Sequence, residues 1–455
     1  MRPASVRNTE LLLAHGLRGP RELALRAAAA GLAACDPQLA VERLVSLDGD
    51  DLVIDGSRYP LKPGGRVVVL GSGKASLKIG IGLERVLGDR LSGGTIVVRH
   101  CDGGSELKRI ELAEASHPIP DERSAERAQQ LLDQATELGP DDLLIACFTG
   151  GSSALTSLPP EGVSAEDKRE LHRVMLGSGL PINDVNAVRK QVSAFKGGRL
   201  ALAAAPATVI NLTVSDAAGD VLDVITDPSV PNGTTVADAL AILRGHGLWD
   251  AIPESVRAHL SAAPAENPDL SGVDLHTTLI VTGETACDAM RAEAVEAGAE
   301  AVVLSTGLEE EAGPVGRILA GLARESAAKG RPFPSPSVLV GCGGESTVKL
   351  GPGDEFGQGG PNQEAALAAA TALDGAPVAV VFLDTDGSDG GTDLAGAVAD
   401  GATASRAREA GIDLRAAVAS HRSGEAIARL GDGIDTGPTH TNVNDLFVLA
   451  IGATD

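Results

Sequence analysis

The sequence predicts an α/β protein folded as two three-layer α/β/α domains. Three observations carry that expectation. Short apolar runs recur that end in glycine or acidic turns and lead into helical spacing, the signature of strands buried between helices. The chain has 455 residues, 43% of them hydrophobic, enough for two cores. Between Ala251 and Asp274 the composition shifts toward Pro, Glu and Ser, which reads as a domain boundary.

The elements follow in order. Alanine and leucine at helical spacing predict a helix from about Pro20 to Val45. Arg66 to Leu70 is a strand ending in Gly71-Ser72-Gly73-Lys74, with a helix after it through Leu87. The same unit recurs at Thr95–Val98, at Asp142–Phe148 before Thr149-Gly150-Gly151-Ser152-Ser153, and at Thr208–Val214 before Ser215-Asp216. Beyond the boundary, strands are expected at Thr277–Thr282, Ala301–Ser305, Ser337–Gly341 and Pro377–Phe382, with a last apolar strand after Asp445. The domains are therefore 1–255 and 275–455.

Composition excludes several classes of function. The 62 acidic residues against 38 Lys and Arg give a net charge of −24, which opposes binding to nucleic acid or an anionic membrane surface. No apolar run reaches the roughly 18 to 20 residues of a membrane span, and no signal pattern opens the chain, so a cytoplasmic location is expected. The five cysteines are scattered without a CxxC pair, so neither a disulfide framework nor a cysteine zinc site is indicated. Strong acidity with few lysines and 2% aromatics suits a surface hydrated in concentrated salt, a halophilic trait.

In open α/β sheets ligands bind beyond the carboxyl ends of strands, so the loops after each run are where chemistry is sought. Gly71–Lys74 lets the backbone approach an anion and adds a full positive charge, although it is neither a Walker A loop nor a dinucleotide fingerprint, since Ser76 stands at the third glycine. Ser152 and Ser153 open a helix after a glycine turn and suit a phosphate or carboxylate nest. Arg189, Lys190, Lys196 and Arg199 place four cations within eleven positions of an acidic chain, fit to neutralise a carboxylate or phosphates, or to form a solvated helix face. Asp384 to Asp393 holds four carboxylates in ten residues. It is not an EF-hand; Mg²⁺ shared with a phosphorylated ligand fits it better, with Asp386 and Asp389 as the ligands.

Eight segments in one order resemble the type-2 glycerate kinase family, whose C-terminal half is the MOFRL domain. They are 117–121, 149–155, 186–190 with 196–199, 215–216, 343–348, 359–364, 384–393 and 436–446. The resemblance implies two Rossmann-like domains with an interdomain cleft, and ATP-dependent phosphorylation of D-glycerate to 2-phosphoglycerate. By the same resemblance Lys74 and Asp216 are catalytic, and Gly343, Gly344, Glu345, Asn362, Gln363, Thr436, Thr439 and Asn442 bind the nucleotide. Expected ligands are ATP, Mg²⁺ and a small acid, with a homodimer as the possible assembly. The chain departs from the family at Pro361, where an arginine is usual, and at His440, where glycine is usual. A carboxylate clamp lost at Pro361 is expected among Arg189, Lys190, Lys196 and Arg199, Arg189 first. The alternatives are a kinase of a related hydroxy acid, ketose or polyol, or a hydroxypyruvate reductase.

Overall fold

A computed structural model of the chain describes residues 4–99, 106–215, 225–344, 346–349 and 357–452. By its internal contacts the chain divides into two units, one of Pro37–Ser215 with residues 225–280, the other of residues 4–36 with 281–452. No helix among the described residues is long and apolar enough to cross a membrane.

The chain opens with α1 (Thr9–Leu13) and α2 (Arg18–Ala34). The expected single helix to Val45 breaks at Cys35-Asp36 before Pro37, which starts α3 (Pro37–Leu44) in the position where a missing N–H is harmless. Strands β1 (Val45–Asp48), β2 (Asp51–Ile54) and β3 (Ser57–Pro60) make a small antiparallel sheet that sequence patterning does not anticipate, because four-residue strands carry too little alternation.

Then β4 (Val67–Ser72), α4 (Ser76–Leu87), β5 (Gly93–Val98), β6 (Ile110–Glu114), α5 (Glu122–Thr136) and β7 (Leu143–Phe148) build the first large sheet. They are followed by α6 (Ser152–Leu155), α7 (Ala165–Gly177), α8 (Ile182–Gln191), α9 (Arg199–Ala204), β8 (Thr208–Val214), α10 (Val236–Gly245), α11 (Glu254–Ala262) and β9 (Leu275–Val281). The sheet order is β6-β5-β4-β7-β8-β9, and the pairs β4–β5, β4–β7, β5–β6 and β7–β8 are parallel, as the repeated strand–turn–helix units require. Leu70, Leu144, Ala146, Phe148 and Val209 bury one face against Leu131 of α5 and Leu200 of α9. Helices α7, α8, α10 and α11 close a separate apolar cluster around Leu171, Met175, Val188, Leu243 and Val256.

Two expectations change here. Strand β9 is the edge of the first sheet beside β8, so the passage between units falls at 280–281 and not within Ala251–Asp274. Residues 4–36, expected within a first domain of 1–255, belong to the second unit: α2 packs on the later helix α12 (Gly283–Glu296), so closely that a Cβ at Gly31 would lie 2.6 Å from Met290 Cγ.

The second unit continues with β10 (Glu300–Ser305), α13 (Ala312–Lys329), β11 (Ser337–Cys342), α14 (Pro361–Leu373), β12 (Val378–Asp384) and β13 (Gly396–Asp400). After them come α15 (Thr403–Glu409), α16 (Leu414–Ala419), α17 (Ser423–Leu430), β14 (Gly433–Ile434) and β15 (Asp445–Ile451). Its sheet order is β10-β11-β15-β12-β13-β14. The α/β class holds, with α13 and α14 on one face and α2 and α12 on the other. The strand directions are mixed: β10–β11 is parallel, whereas β15 runs antiparallel to both β11 and β12, and β13 to β12. The eleven residues between β12 and β13 hold no crossover helix, so the chain returns antiparallel.

Candidate functional site

In the first unit the site is built where β4, β7 and β8 end. Gly71 and Gly73 let the two turns lie against each other: a Cβ would stand 2.3 Å from Cys147 Sγ at the first and 2.4 Å from Thr149 Oγ1 at the second. The Lys74 amide donates to the Gly150 carbonyl at 2.9 Å, and the Ala75 amide donates to Thr149 Oγ1 at 3.1 Å. The Ser76 hydroxyl donates to the Cys147 carbonyl at 2.8 Å. Gly151 is left-handed (φ 87), and a Cβ there would stand 3.0 Å from His117 Nε2 and 3.7 Å from Lys74 Cγ. Lys74, the glycine turn and His117 therefore share one corner. Ser152 is buried and Ser153 half-buried at the start of the short α6, where the Ser152 carbonyl accepts from the Thr156 hydroxyl at 2.9 Å. Asp216 lies outside the described residues.

Gly151→Ala is expected to crowd His117 as well as to strain the left-handed backbone. We expect kcat/KM to fall by about tenfold or more, with a stability loss of about 1 kcal/mol, read by steady-state kinetics and thermal melting.

Tied to the segment after α6 is a buried group of cations. Lys168, Lys190 and Lys196 are buried, and Arg189 and Arg199 half-buried. Lys168 Nζ donates to the Leu158 carbonyl at 2.8 Å and Lys196 Nζ to the Thr156 carbonyl at 3.1 Å, which ties both to the segment after α6. Arg199 Nη1 donates to the Lys196 carbonyl at 2.8 Å, and Arg189 Nη1 to Asn186 Oδ1 at 3.2 Å. The Lys190 carbonyl accepts from Arg199 at 3.5 Å.

Burial and mutual repulsion mark these groups. Burial, then Lys196, Arg189 and Arg199, hold the Lys168 amine well below the usual lysine range. Burial and Arg189 bring Lys196 down to about 7, against an opposing pull from Asp227. Burial lowers Arg189 to about 10. His172 falls to about 2 through burial and then Arg189, Lys168 and Lys196, so its imidazole is neutral. The oxygens of Asp227 accept from Asn211 at 3.0 Å and from the Ser229 amide at 2.7 Å. Arg189 Nε and His172 Nε2 are buried and have no hydrogen-bond partner among the described residues. Lys168 and His172 are the residues the sequence reading missed.

In the second unit the expected nucleotide loops gather at the ends of β11, β12 and β15. The Gly343 amide donates to the Asp445 carbonyl at 3.2 Å, and a Cβ at Gly343 would stand 1.9 Å from the Leu308 carbonyl oxygen. Asn362 Nδ2 donates to Asp445 Oδ1 at 2.6 Å. Gln363 Nε2 donates to Thr392 Oγ1 at 2.9 Å. Thr439 Oγ1 donates to the Thr385 carbonyl at 2.6 Å, Thr436 Oγ1 to the Gly437 carbonyl at 2.9 Å, and Asn442 Oδ1 accepts from the Asn444 amide at 3.2 Å. Gly344 lies under Glu309, with Oε1 2.3 Å from where a Cβ would be, and Glu345 is outside the described residues.

Asp389, expected as a metal ligand, caps a helix. Its Oδ1 accepts from the Asn362 amide at 3.0 Å and its Oδ2 from the Gln363 amide at 2.8 Å, so the carboxylate answers the free amides that open α14. It is 1% exposed, and burial with Asp445 raises it to about 7 despite those amides. Both oxygens thus answer the amides at the helix start. The same cap accounts for Pro361 as the first helical residue, where no N–H is needed. Asp386 is half-buried, and its Oδ1 accepts from the Ser388 amide at 2.8 Å. No group of three or more His, Cys, Asp or Glu among the described residues is placed to hold a metal. His440 is left-handed (φ 56), a conformation glycine adopts without strain.

The sequence matches the family described as "Domain of unknown function (DUF4147)" over residues 23–261 and the MOFRL family over 338–445. A glycerate 2-kinase of Pyrococcus horikoshii is 39% identical over 442 residues, 95% of this chain and 97% of that one. A protein of Agrobacterium vitis named "Putative hydroxypyruvate reductase" is 39% identical over 434 residues, 95% and 94% of the two chains. Among solved structures, a glycerate kinase of Thermotoga maritima superposes with a TM-score of 0.80 at 34% identity, over 94% of this chain and 99% of that one. With both halves matched in order and relatives aligned over nearly their whole length, the chain belongs to the glycerate kinase family.

Proposed function

We propose that the protein transfers the γ-phosphoryl group of ATP to the C2 hydroxyl of D-glycerate, yielding 2-phosphoglycerate and ADP. The observation that carries this reading is the buried cation group around Arg189 and Lys196, which calls for a small acid as the partner. In the transfer a bond forms between the C2 oxygen and the γ-phosphorus while the bond to the ADP oxygen breaks, and the hydroxyl proton leaves to a base. Asp216, the acidic position of the family, is assigned that base. Lys74 offsets charge on the transferring oxygens, and Ser152 and Ser153 line the turn that receives an acid or phosphoryl oxygen. Arg189 faces the carboxylate with two donors, replacing the arginine absent at Pro361. The loops holding Gly343, Gly344, Asn362, Gln363, Thr436, Thr439 and Asn442 are assigned to the nucleotide. Mg²⁺ needs one or two carboxylates beside phosphate oxygens, and the half-buried Asp386 fits that demand where Asp389 does not. Bound there, the ion would neutralise phosphate charge.

The test is a coupled ADP-release assay with mass detection of product. The protein is incubated with ATP, Mg²⁺ and a panel of three- to six-carbon hydroxy acids, ketoses and polyols, at low and multimolar KCl. D-glycerate is expected to be the preferred acceptor, with a product heavier by one phosphoryl group. Phosphorylation of a neutral ketose in its place would overturn the acid assignment. Oxidation of NADH by hydroxypyruvate would favour the reductase reading, against which stands Ser76, buried and hydrogen-bonded to Cys147 where a dinucleotide turn has glycine.

A further inference from the structure

Helix α7 carries two groups that no motif includes. Lys168 and His172 are four residues apart, on the same face as the buried Leu171 and Met175, so they point inward with the core stripe. There they join Arg189, Lys196 and Arg199. The cations are held by neutral acceptors: carbonyls of Thr156, Leu158 and Lys196, and the Asn186 side chain. Two buried nitrogens, Arg189 Nε and His172 Nε2, remain without a partner among the described residues.

We propose that Lys168, His172, Arg189, Lys196 and Arg199 form one oxyanion site, which takes the acid group of the acceptor and gains a proton as it does so. The identity of the acid rests on the kinase reading above; the oxyanion chemistry does not. Four basic side chains face one another, and among the described residues Asp227 is the one carboxylate that acts on Lys196. Without a ligand, burial and repulsion favour the neutral amines of Lys168 and Lys196. An entering oxyanion reverses that balance, because each ammonium now gains an opposite charge in a buried setting. The lysines then titrate higher in the complex than in the free protein, and binding draws a proton from solution. The imidazole of His172 is neutral before binding, so its Nε2 can pair with a hydroxyl of the ligand while the guanidinium takes the acid oxygens.

Among the described residues, the neighbouring elements do not supply the missing negative charge. On α7, Glu166 pairs with Arg169 at 2.7 Å. On α8, Asp184 faces His246 of the segment after α10 at 3.9 Å, and His259 of α11 meets the Gln191 carbonyl at 3.1 Å. Asp227 is itself raised by burial and bound by Asn211 and Ser229.

The full chain is titrated calorimetrically with D-glycerate and, separately, with inorganic phosphate, each at about pH 8 in two buffers of different ionisation enthalpy. Uptake of roughly half to one proton per ligand is expected, and the KM for D-glycerate should rise about tenfold between about pH 7 and about pH 9. Lys196→Arg, which stays charged, should bind with reduced proton uptake and a flatter KM profile. Lys196→Met should weaken binding by at least about tenfold. Uptake with glycerate assigns the site to the carboxylate, and uptake with phosphate alone assigns it to a phosphoryl group. Binding of both without proton uptake, with KM level across that range, overturns the proposal even if glycerate is phosphorylated. Conversely, proton-linked phosphate binding in a protein that does not phosphorylate glycerate sinks the substrate assignment and leaves the oxyanion site standing.

Discussion

Replacing Lys74 with alanine is expected to lower kcat/KM by at least about a hundredfold, equivalent to about 2.7 kcal/mol of transition-state stabilisation, with the fold unchanged. The turn that carries Lys74 is shaped by its glycines and by the bonds from Lys74 N to Gly150 and from Ala75 N to Thr149, all of which alanine preserves. The side chain is half-buried beside Gly151 and belongs to no apolar cluster, so packing does not explain a lysine there. Its positive charge at the carboxyl end of a parallel strand suits an anion in the reaction. Matched thermal melts and a collapsed kcat/KM are the expected pair of results; near wild-type turnover would reduce Lys74 to a residue of the turn.

The largest loss of stability is expected from Arg21→Met. Arg21 is fully buried on α2, bonded to Asp400, to Asp432 Oδ1 at 2.9 Å and to the Leu12 carbonyl at 2.9 Å. Burial works against the guanidinium charge, and Asp432 and Asp400 together outweigh it. Methionine matches much of the volume but leaves buried carboxylates behind, a defect of about 3–5 kcal/mol. The midpoint of thermal unfolding should drop on the order of 10 °C. The same network sets an acid limit. Burial raises the Asp432 carboxyl, but His15, Arg21 and Arg406 bring it below the ordinary value. A depressed carboxylate contributes stability above its unfolded value, and that contribution disappears as pH falls through the folded one. In Arg21→Met the acid side of the stability profile should therefore be shallower, as urea unfolding at a series of pH values would read.

Legibility in the sequence followed the local character of each signal. Val67–Ser72 and Leu143–Phe148 are continuous apolar runs with glycine turns behind them, so both the strands and their loops could be placed from spacing alone. Direction was not readable in the second sheet. The run Asp445–Ile451 has the same apolar character whichever way it lies, and only its pairing with both Val338 and Ala379 sets it antiparallel. Lys168 and His172 were hidden in a helix that reads as charged and solvated, although their i, i+4 spacing on the stripe of Leu171 and Met175 was the available clue. The capping role of Asp389 was not legible, because carboxylate density looks alike whether the partner is an ion or the start of a helix 27 residues back in the chain. The placement of α2 also escaped, since an amphipathic stripe states that a partner exists without naming α12.

The position of β15 bears on the order in which the protein can be made. Strands β11 and β12 are each paired with β15 and not with each other, so the centre of the second sheet is an empty lane until residues 445–451 leave the ribosome. Helix α2, which precedes the first unit in the chain, rests on that same lane and on β12. Apart from α1, its packing partners α12, β12, β13 and β15 all follow residue 281, where the first unit's sheet is complete, so the rest of its apolar face is covered only after that unit has been made. Sequestration of that waiting face, by a chaperone or by speed of translation, becomes part of what the cell supplies to this fold.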